Sequence, residues 1–349
     1  MSGGLLVVGG YGAVGEPLCR ALTAAGILPV IAGRNPQKGV ALAHQLGTTT
    51  RRLDLTDPGT WDAALAGIDI VVMCMDQEDT ALVRLLFERG IHYVDVTASD
   101  AFFRRLEALP APDRSIALLS VGLAPGLTNM LARGLAGTFD RPTRVDIGML
   151  FGLGDHPGAA GLDWMAEQIF DPHRRRDLKR QDFGPTWGTR RAHVLDFSDQ
   201  HALMRTMPNV AVTTRIAFES RLVTAALFGI GSWFAGNGLV RGVLRRSFPA
   251  FRLGSRTVNL SVEAVGYRHG NRRRSSVRFL AEGESRTTAR LAALMIRMLM
   301  ARPPRPGIWH SHEALNVPAF LSAVETEGIG TLDWSWIPPT LIPTTAMAS

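Results

Sequence analysis

The chain is poor in cysteine, lysine and tyrosine, and each scarcity excludes something. Two cysteines, Cys19 and Cys74, stand among 349 residues, both in apolar surroundings. They make no disulfide framework and no metal-ligand spacing, which points to a reducing compartment. Met1-Ser2-Gly3 runs straight into an apolar strand, so no signal peptide is expected and the protein reads as cytoplasmic. Of 38 basic residues only Lys38 and Lys179 are lysines. A mechanism built on lysine therefore has two possible carriers. None of the three tyrosines, Tyr11, Tyr93 and Tyr267, has a lysine four residues later, so a Tyr-x-x-x-Lys proton-donor dyad is absent.

The net charge is +7. Arginines cluster at 174–176, 190–191, 245–246 and 272–274, but the clusters are scattered and lack interleaved aromatics. That pattern argues against nucleic acid and leaves an anionic small-molecule substrate or a solvated surface. One long apolar run, Leu222 to Val240, lies between Arg221 and Arg241. Its length reaches the membrane threshold. Four glycines (Gly229, Gly231, Gly236 and Gly238), with Ser232 and Asn237, favour instead a buried or dimer-facing helix pair.

The most informative stretch is Leu5-Leu6-Val7-Val8-Gly9-Gly10-Tyr11-Gly12-Ala13-Val14-Gly15. An apolar strand is followed by G-x-G-x-x-G and then by a helical pattern at Leu18, Ala21, Leu22 and Ala25. In a dinucleotide turn Gly10 would allow the tight strand exit, Gly12 the approach of a pyrophosphate, and Gly15 close helix packing. The second strand ends at Gly33-Arg34-Asn35, where an NAD site wants Asp or Glu. Glycine there leaves room for a 2′-phosphate and Arg34 can pair with it, so NADP(H) is the expected cofactor. Lys38 close by reads as a solvated helix residue.

Further strands are expected near 52–55, 70–73, 92–96 and 116–119, alternating with helices, which makes a doubly wound parallel sheet. Ligands in such sheets lie beyond the carboxyl ends of the strands. The candidates there are Gly10, Tyr11, Gly12, Ala13, Val14 and Gly15 of the turn, then Gly33, Arg34, Asn35, Asp54, Cys74, Met75 and Thr97 for the cofactor. Asp54 meets either an adenine edge or its own turn; Cys74 is either a cofactor contact or an inert buried thiol. Asp76 and Asp95 are the carboxylates that could stabilise a cation or move a proton, and Asp95 could equally hold its loop by hydrogen bonds.

The glycine turn, Gly33-Arg34-Asn35, Tyr93-Val94-Asp95-Val96-Thr97 and Gly122-Leu123-Ala124-Pro125-Gly126-Leu127-Thr128-Asn129 occur together and in order. That combination resembles the saccharopine dehydrogenase (glutamate-forming) and saccharopine reductase-like family, over residues 1 to about 150. The resemblance implies an NADP-linked Rossmann domain, an inserted α/β domain that holds substrate and often dimerises, and hydride transfer to an imine. Members often carry Asn-Cys-x-Gly-Pro after the fourth strand, where this chain has Met73-Cys74-Met75-Asp76-Gln77.

The expected organisation is a Rossmann domain over 1–125, an α+β substrate-binding and dimerisation domain over 126–305, and a terminal helix over 306–340 returning to the first domain. Gly122, Pro125, Asn129 and Trp164 are candidate substrate contacts. His156 is a candidate proton donor or a turn histidine. Strand signals at 192–195, 210–215, 258–262 and 276–280 suggest a sheet with one wet face. Leu291, Leu294, Met295, Met298 and Leu299 make a core stripe on a helix over 287–300. His310-Ser311-His312-Glu313 lacks a third ligand nearby, so no metal is expected. The reading is an NADPH-dependent imine reductase or secondary-amine dehydrogenase for an amino-acid-derived small molecule, working as a homodimer. Reduction of a carbonyl or activated C=C bond, or a non-catalytic NADP(H)-binding or membrane-associated protein, remain beside it.

Overall fold

The computed structural model describes residues 3–152, 168–169, 177–234 and 255–334. His156, Trp164 and the arginines at 174–176 lie outside them. The chain forms two units, one of Met1–Asn129 with Thr288–Asn316, the other of Met130–Thr287 with Val317–Ser349.

The first unit begins with β1 (Gly4–Val8), α1 (Gly15–Ala24), β2 (Pro29–Gly33), α2 (Val40–Leu46), β3 (Thr50–Arg52), α3 (Trp61–Leu65), β4 (Ile68–Met73), α4 (Ala81–Glu88), β5 (His92–Asp95), α5 (Asp100–Glu107) and β6 (Ile116–Leu119). The strand Gly307–His310 joins its sheet from far along the chain and pairs in parallel with β6. Every strand pair in the sheet is parallel. From the edge at Gly307–His310 the order runs through β6, β5, β4, β1 and β2 to β3. This is the doubly wound arrangement, with its reversal of strand order between β1 and β4.

The sequence dictates it through burial on both faces. Leu5, Leu6, Val7 and Val8 of β1 are at most 3% exposed. Helices cover the sheet with apolar stripes: Leu18, Cys19 and Leu22 from α1, Leu82, Val83 and Leu86 from α4, and Phe102, Phe103 and Leu106 from α5. Each such side chain stabilises the fold by about 1.5–3 kcal/mol relative to exposure. Ser99 starts α5 by accepting from the Phe102 N–H at 3.3 Å, an N-cap.

The second unit follows α6 (Thr128–Ala136) with β7 (Arg141–Phe151), β8 (Leu178–Asp182), β9 (Thr189–Val194), α7 (Ser198–Thr206), β10 (Ala211–Phe218), α8 (Arg221–Phe234), β11 (Thr257–Arg268) and β12 (Asn271–Glu282); the helix α9 (Glu284–Ala301) comes next and belongs to the first unit from Thr288 on. After β13 (Gly307–His310) come α10 (Ser311–Ala314), α11 (Val317–Thr326) and β14 (Thr331–Trp334). The second sheet is mixed, ordered β14-β12-β11-β7-β10-β9-β8, with β7 and β10 parallel. The terminal segment therefore divides: β13 completes the first sheet, and α11 and β14 belong to the second unit.

The expected wet face is confined to the margin of this sheet. Only β12 alternates cleanly, whereas β7, β10 and β11 are buried on successive residues. The β8–β9 hairpin contributes the cover. Gln181 Nε2 donates to Ser261 O at 2.7 Å, and Asn259 Nδ2 donates to Phe183 O at 2.9 Å. The Leu222 to Val240 run is helical over Arg221–Phe234, and Leu222 is 83% exposed. Among the described residues, no helix is long and apolar enough to cross a membrane.

Candidate functional site

The carboxyl ends of neighbouring strands gather the first unit's candidates along one edge of its sheet. The turn after β1 comes first. Its left-handed residue is Gly9, at φ +77°, rather than Gly10. Gly10 is glycine for packing: a Cβ would lie 2.9 Å from Val7 O and 3.3 Å from Cys19 Sγ. Gly15 has the strictest requirement, since a Cβ would stand 2.1 Å from Gly9 O and 2.7 Å from Gly10 Cα. The helix thus sits directly on the turn. At Gly12 a Cβ would meet one atom within 4 Å, Gly9 O at 3.1 Å, and the residue is exposed. Its Cα is exposed to an approaching group, while its N–H donates to Gly9 O at 2.9 Å and its C=O accepts from the Glu16 N–H at 3.0 Å. Ala13 is exposed and Val14 half-buried. They lead into α1, where the Glu16 N–H donates to Gly12 O at 3.0 Å and Pro17 has no N–H, so that what the helix start offers an anion is mainly its positive dipole end. These features fit the pyrophosphate of a dinucleotide.

The end of β2 lies beside this turn. Gly33 is buried under the Tyr11 ring, and the Asn35 N–H donates to Tyr11 Oη at 3.3 Å. The space expected above Gly33 is thus occupied by a side chain of the glycine turn, a contact that no sequence pattern signals. Arg34 is exposed. Asn35 also caps the following turn, its Oδ1 accepting from Gln37 N at 3.2 Å. Asp54 closes its own turn. Its Oδ1 accepts from Thr56 N at 3.1 Å and Thr56 Oγ1 at 2.8 Å, and these bonds hold its carboxyl below the usual range.

Across the turn, at the end of β4, Met75 lies against Gly9, its Cγ 2.6 Å from where a Cβ there would stand. Cys74 is tied to β1 by its N–H, which donates to Val8 O at 3.0 Å. Burial pushes its thiol far up, and Cys19 likewise rises to about 12.

Asp95, at the end of β5, is fully buried. Its Oδ2 accepts from Tyr93 Oη at 2.6 Å, and its Oδ1 accepts from Thr97 N at 2.7 Å and from Thr97 Oγ1. Tyr93 Oη in turn accepts from Gln77 Nε2. Burial raises the Asp95 carboxyl; the bonds from Thr97 and Tyr93 offset only part of that. Of its two open readings, loop-holding is the one this geometry displays. Asp76, by contrast, is exposed.

After β6 the chain turns through Ser120, at φ +56°, and Gly122, at φ +137°. Gly122, Pro125 and Asn129 are all buried, and Asn129 Oδ1 accepts from Gly126 N at 3.0 Å. The loop is fastened by β13: Ser120 Oγ and His310 Nδ1 are 2.8 Å apart, His310 Nε2 and Glu107 Oε1 are 2.9 Å apart, and Ser311 Oγ donates to Ser120 O at 2.6 Å. His310 and Glu313 also form a capping box at the start of α10. Of the histidines that suggested a ligand pair, His310 is thus engaged in joining β6, α5 and β13, and His312 is buried with its ring centroid 5.7 Å from that of His310.

In the second unit, Lys179 bonds to Asp146 at 2.8 Å and to Glu263 at 2.7 Å. Arg190 bonds to the Trp187 carbonyl. The Lys179 ties, which cross 33 and 84 residues, were not visible in the sequence, whereas the Arg190 bond is local.

Residues 9–102 match the model of an NAD(P)H-binding family. The chain therefore carries an NAD(P)H-binding domain. Its fold is similar to that of saccharopine dehydrogenase (L-Glu forming) from Saccharomyces cerevisiae, with a TM-score of 0.68 at 13% identity, over 96% of this chain and 100% of that one. The DAP dehydrogenase of C. glutamicum, solved with DAP, gives a TM-score of 0.47 at 15% identity, over 94% of this chain and 100% of that one. Among curated proteins none matches the sequence. The fold read from the residues and the fold found by comparison agree.

Proposed function

We propose that the protein is an NADPH-dependent oxidoreductase that reduces a C=N bond, or runs the reverse oxidation of a secondary amine, on an amino-acid-derived small molecule. The observation that carries this reading is the glycine turn: Gly15 admits no Cβ, Gly12 is open, and the neighbouring strand end offers Arg34 and no carboxylate. Gly12 and the first turn of α1 would hold the pyrophosphate, and Arg34 the 2′-phosphate. When bound, NADPH supplies a hydride. The carbon of the C=N bond accepts it, the π pair moves to nitrogen, and nitrogen must carry or receive a proton.

Asp95 serves this chemistry as a positioning residue, since its carboxylate is occupied by Tyr93 and Thr97. Asp76, exposed beyond β4, is the carboxylate free to face a cationic nitrogen. The occupied Asp95 also favours a second reading, reduction of a carbonyl or activated C=C bond, for which no carboxylate beside an iminium is needed. A homodimeric assembly and a cytoplasmic location belong to the same proposal.

The test is a fluorescence titration of purified protein with NADPH and NADH, repeated on Arg34→Ala, followed by NADPH consumption with a panel of imines and carbonyls. Tighter NADPH binding that Arg34→Ala abolishes, with turnover of imines, supports the reading. Binding without consumption across both panels would leave a nucleotide-binding protein and sink the enzyme.

A further inference from the structure

The end of β2 carries a glycine where a carboxylate would read the ribose of NAD, and the volume above that glycine is filled. The three atoms nearest to a Cβ on Gly33 all belong to Tyr11: Oη at 2.4 Å, Cε1 at 2.8 Å and Cζ at 2.8 Å. The same ring reaches on to Gly39, whose Cβ would meet Tyr11 Cδ1 at 3.3 Å. Tyr11 therefore leaves the glycine turn and lies over the corner that begins at Gly33. Its hydroxyl accepts the Asn35 N–H at 3.3 Å. A phenol that accepts a hydrogen bond still has its own proton to donate.

The chemistry of the two nucleotides separates at this point. A ribose 2′-hydroxyl is best recognised by an acceptor, which is why Asp or Glu stands there in NAD sites. A 2′-phosphate offers acceptors only and wants donors and positive charge. The corner has been converted from the first kind to the second. No carboxylate can start from residue 33 while the ring is in place. Asp54 turns its Oδ1 to Thr56, accepting from its N at 3.1 Å and its Oγ1 at 2.8 Å. The donors at this corner include a phenolic O–H and the exposed guanidinium of Arg34.

We infer that Tyr11 is the residue that selects the cofactor's ribose: its hydroxyl donates to the 2′-phosphate beside Arg34, and its ring keeps a carboxylate out of the end of β2. The inference rests on the nicotinamide-cofactor reading. It goes further by placing selectivity in the glycine turn itself, so that Tyr11 and Gly33 act as one unit.

The experiment measures dissociation constants of NADPH, NADH and the fragment 2′,5′-ADP for the full chain, for Tyr11→Phe, for Gly33→Asp, and for Gly33→Asp combined with Tyr11→Ala. Tyr11→Phe keeps the ring and loses one charge-assisted bond, so NADPH and 2′,5′-ADP should each weaken about tenfold while NADH stays within about twofold. Gly33→Asp should weaken both nucleotides, because the new side chain meets the ring. Adding Tyr11→Ala should restore NADH binding and reverse the preference. If Tyr11→Phe leaves the ratio of NADPH to NADH affinity unchanged while NADPH still binds, the inference falls and the cofactor reading stands. If the unsubstituted protein binds neither nucleotide, both fall.

Discussion

Asp146 and Glu263 stand directly opposite each other in the register of β7 and β11, and Lys179 lies between their carboxylates. Like charges facing each other across a sheet are destabilising. Here Lys179, Arg144 and Arg215 reverse the sign: Arg215 Nη1 reaches Asp146 at 2.6 Å, and both side chains are at most 7% exposed. Burial alone would raise the Asp146 carboxyl, but the Lys179 bond and the surrounding cations outweigh it, and the carboxyl lies below its ordinary range.

Asp146→Asn should therefore destabilise the protein by about 3 kcal/mol at neutral pH, in the manner of a buried pair that loses one partner. Because the folded pKa is lowered, this stabilisation is complete above the ordinary aspartate range and fades as pH falls through the lowered value. Urea unfolding of both proteins at several pH values checks it. The gap between them should narrow on acidification, and a gap that widens would contradict the network.

Asp95→Ala should cost about 2–4 kcal/mol, since it strands the Thr97 N–H and the Tyr93 hydroxyl in the interior. Asp95→Asn should cost less and keep NADPH affinity within about threefold, because an amide oxygen can still accept from Thr97. Denaturant midpoints and nucleotide titration decide the matter. A carboxylate in direct contact with the cofactor would show instead as a large loss of affinity with little loss of stability.

Gly15→Ala and Gly12→Ala should separate folding from binding. At Gly15 the added methyl group drives into Gly9 O, which should destabilise the first unit by about 1–3 kcal/mol as overpacking does. At Gly12 it meets Gly9 O at 3.1 Å rather than 2.1 Å, so the loss of stability should be much smaller than at Gly15 while NADPH weakens at least about tenfold. Melting curves beside titrations test the pair. Equal binding losses with equal stability losses would mean that Gly12 is structural too.

His310→Ala should destabilise by about 2–4 kcal/mol by leaving Ser120 and Glu107 without their buried partner. Hydrogen exchange should show lost protection at β13 and β6 first, with β1 and β4 unaffected. Uniform loss across the sheet would mean that the tie is not local.

The parts of the fold written in short-range pattern were legible. The β1 run, the glycine turn and the first helix read directly, and β4, β6, β11 and the long helix α9 followed from periodicity. What escaped were contacts between residues far apart in sequence. Gly33 reads as an empty place because nothing in Gly33-Arg34-Asn35 says that Tyr11 will cover it. His310 reads as half of a weak ligand pair because its partners, Ser120 and Glu107, are remote. The strand β8 carries Lys-Arg-Gln-Asp, with no alternating apolar face, and its Lys179 and Gln181 bond instead to Asp146, Glu263 and Ser261. Gly9 was passed over because the pattern G-x-G-x-x-G begins one residue later.

The position of β13 has a cost during synthesis. Ser120 and His310 are 190 residues apart. At 5–20 residues per second a ribosome needs roughly 10–40 s to make that interval. Throughout it β6, whose four residues are at most 2% exposed in the finished protein, presents an unpaired apolar edge to the cell. Such an edge is a template for pairing with other chains. The nascent chain thus has a timed exposure, and chaperone capacity during those seconds sets its yield. Any truncation upstream of Gly307 would make that exposure permanent and turn a folding delay into an aggregation route.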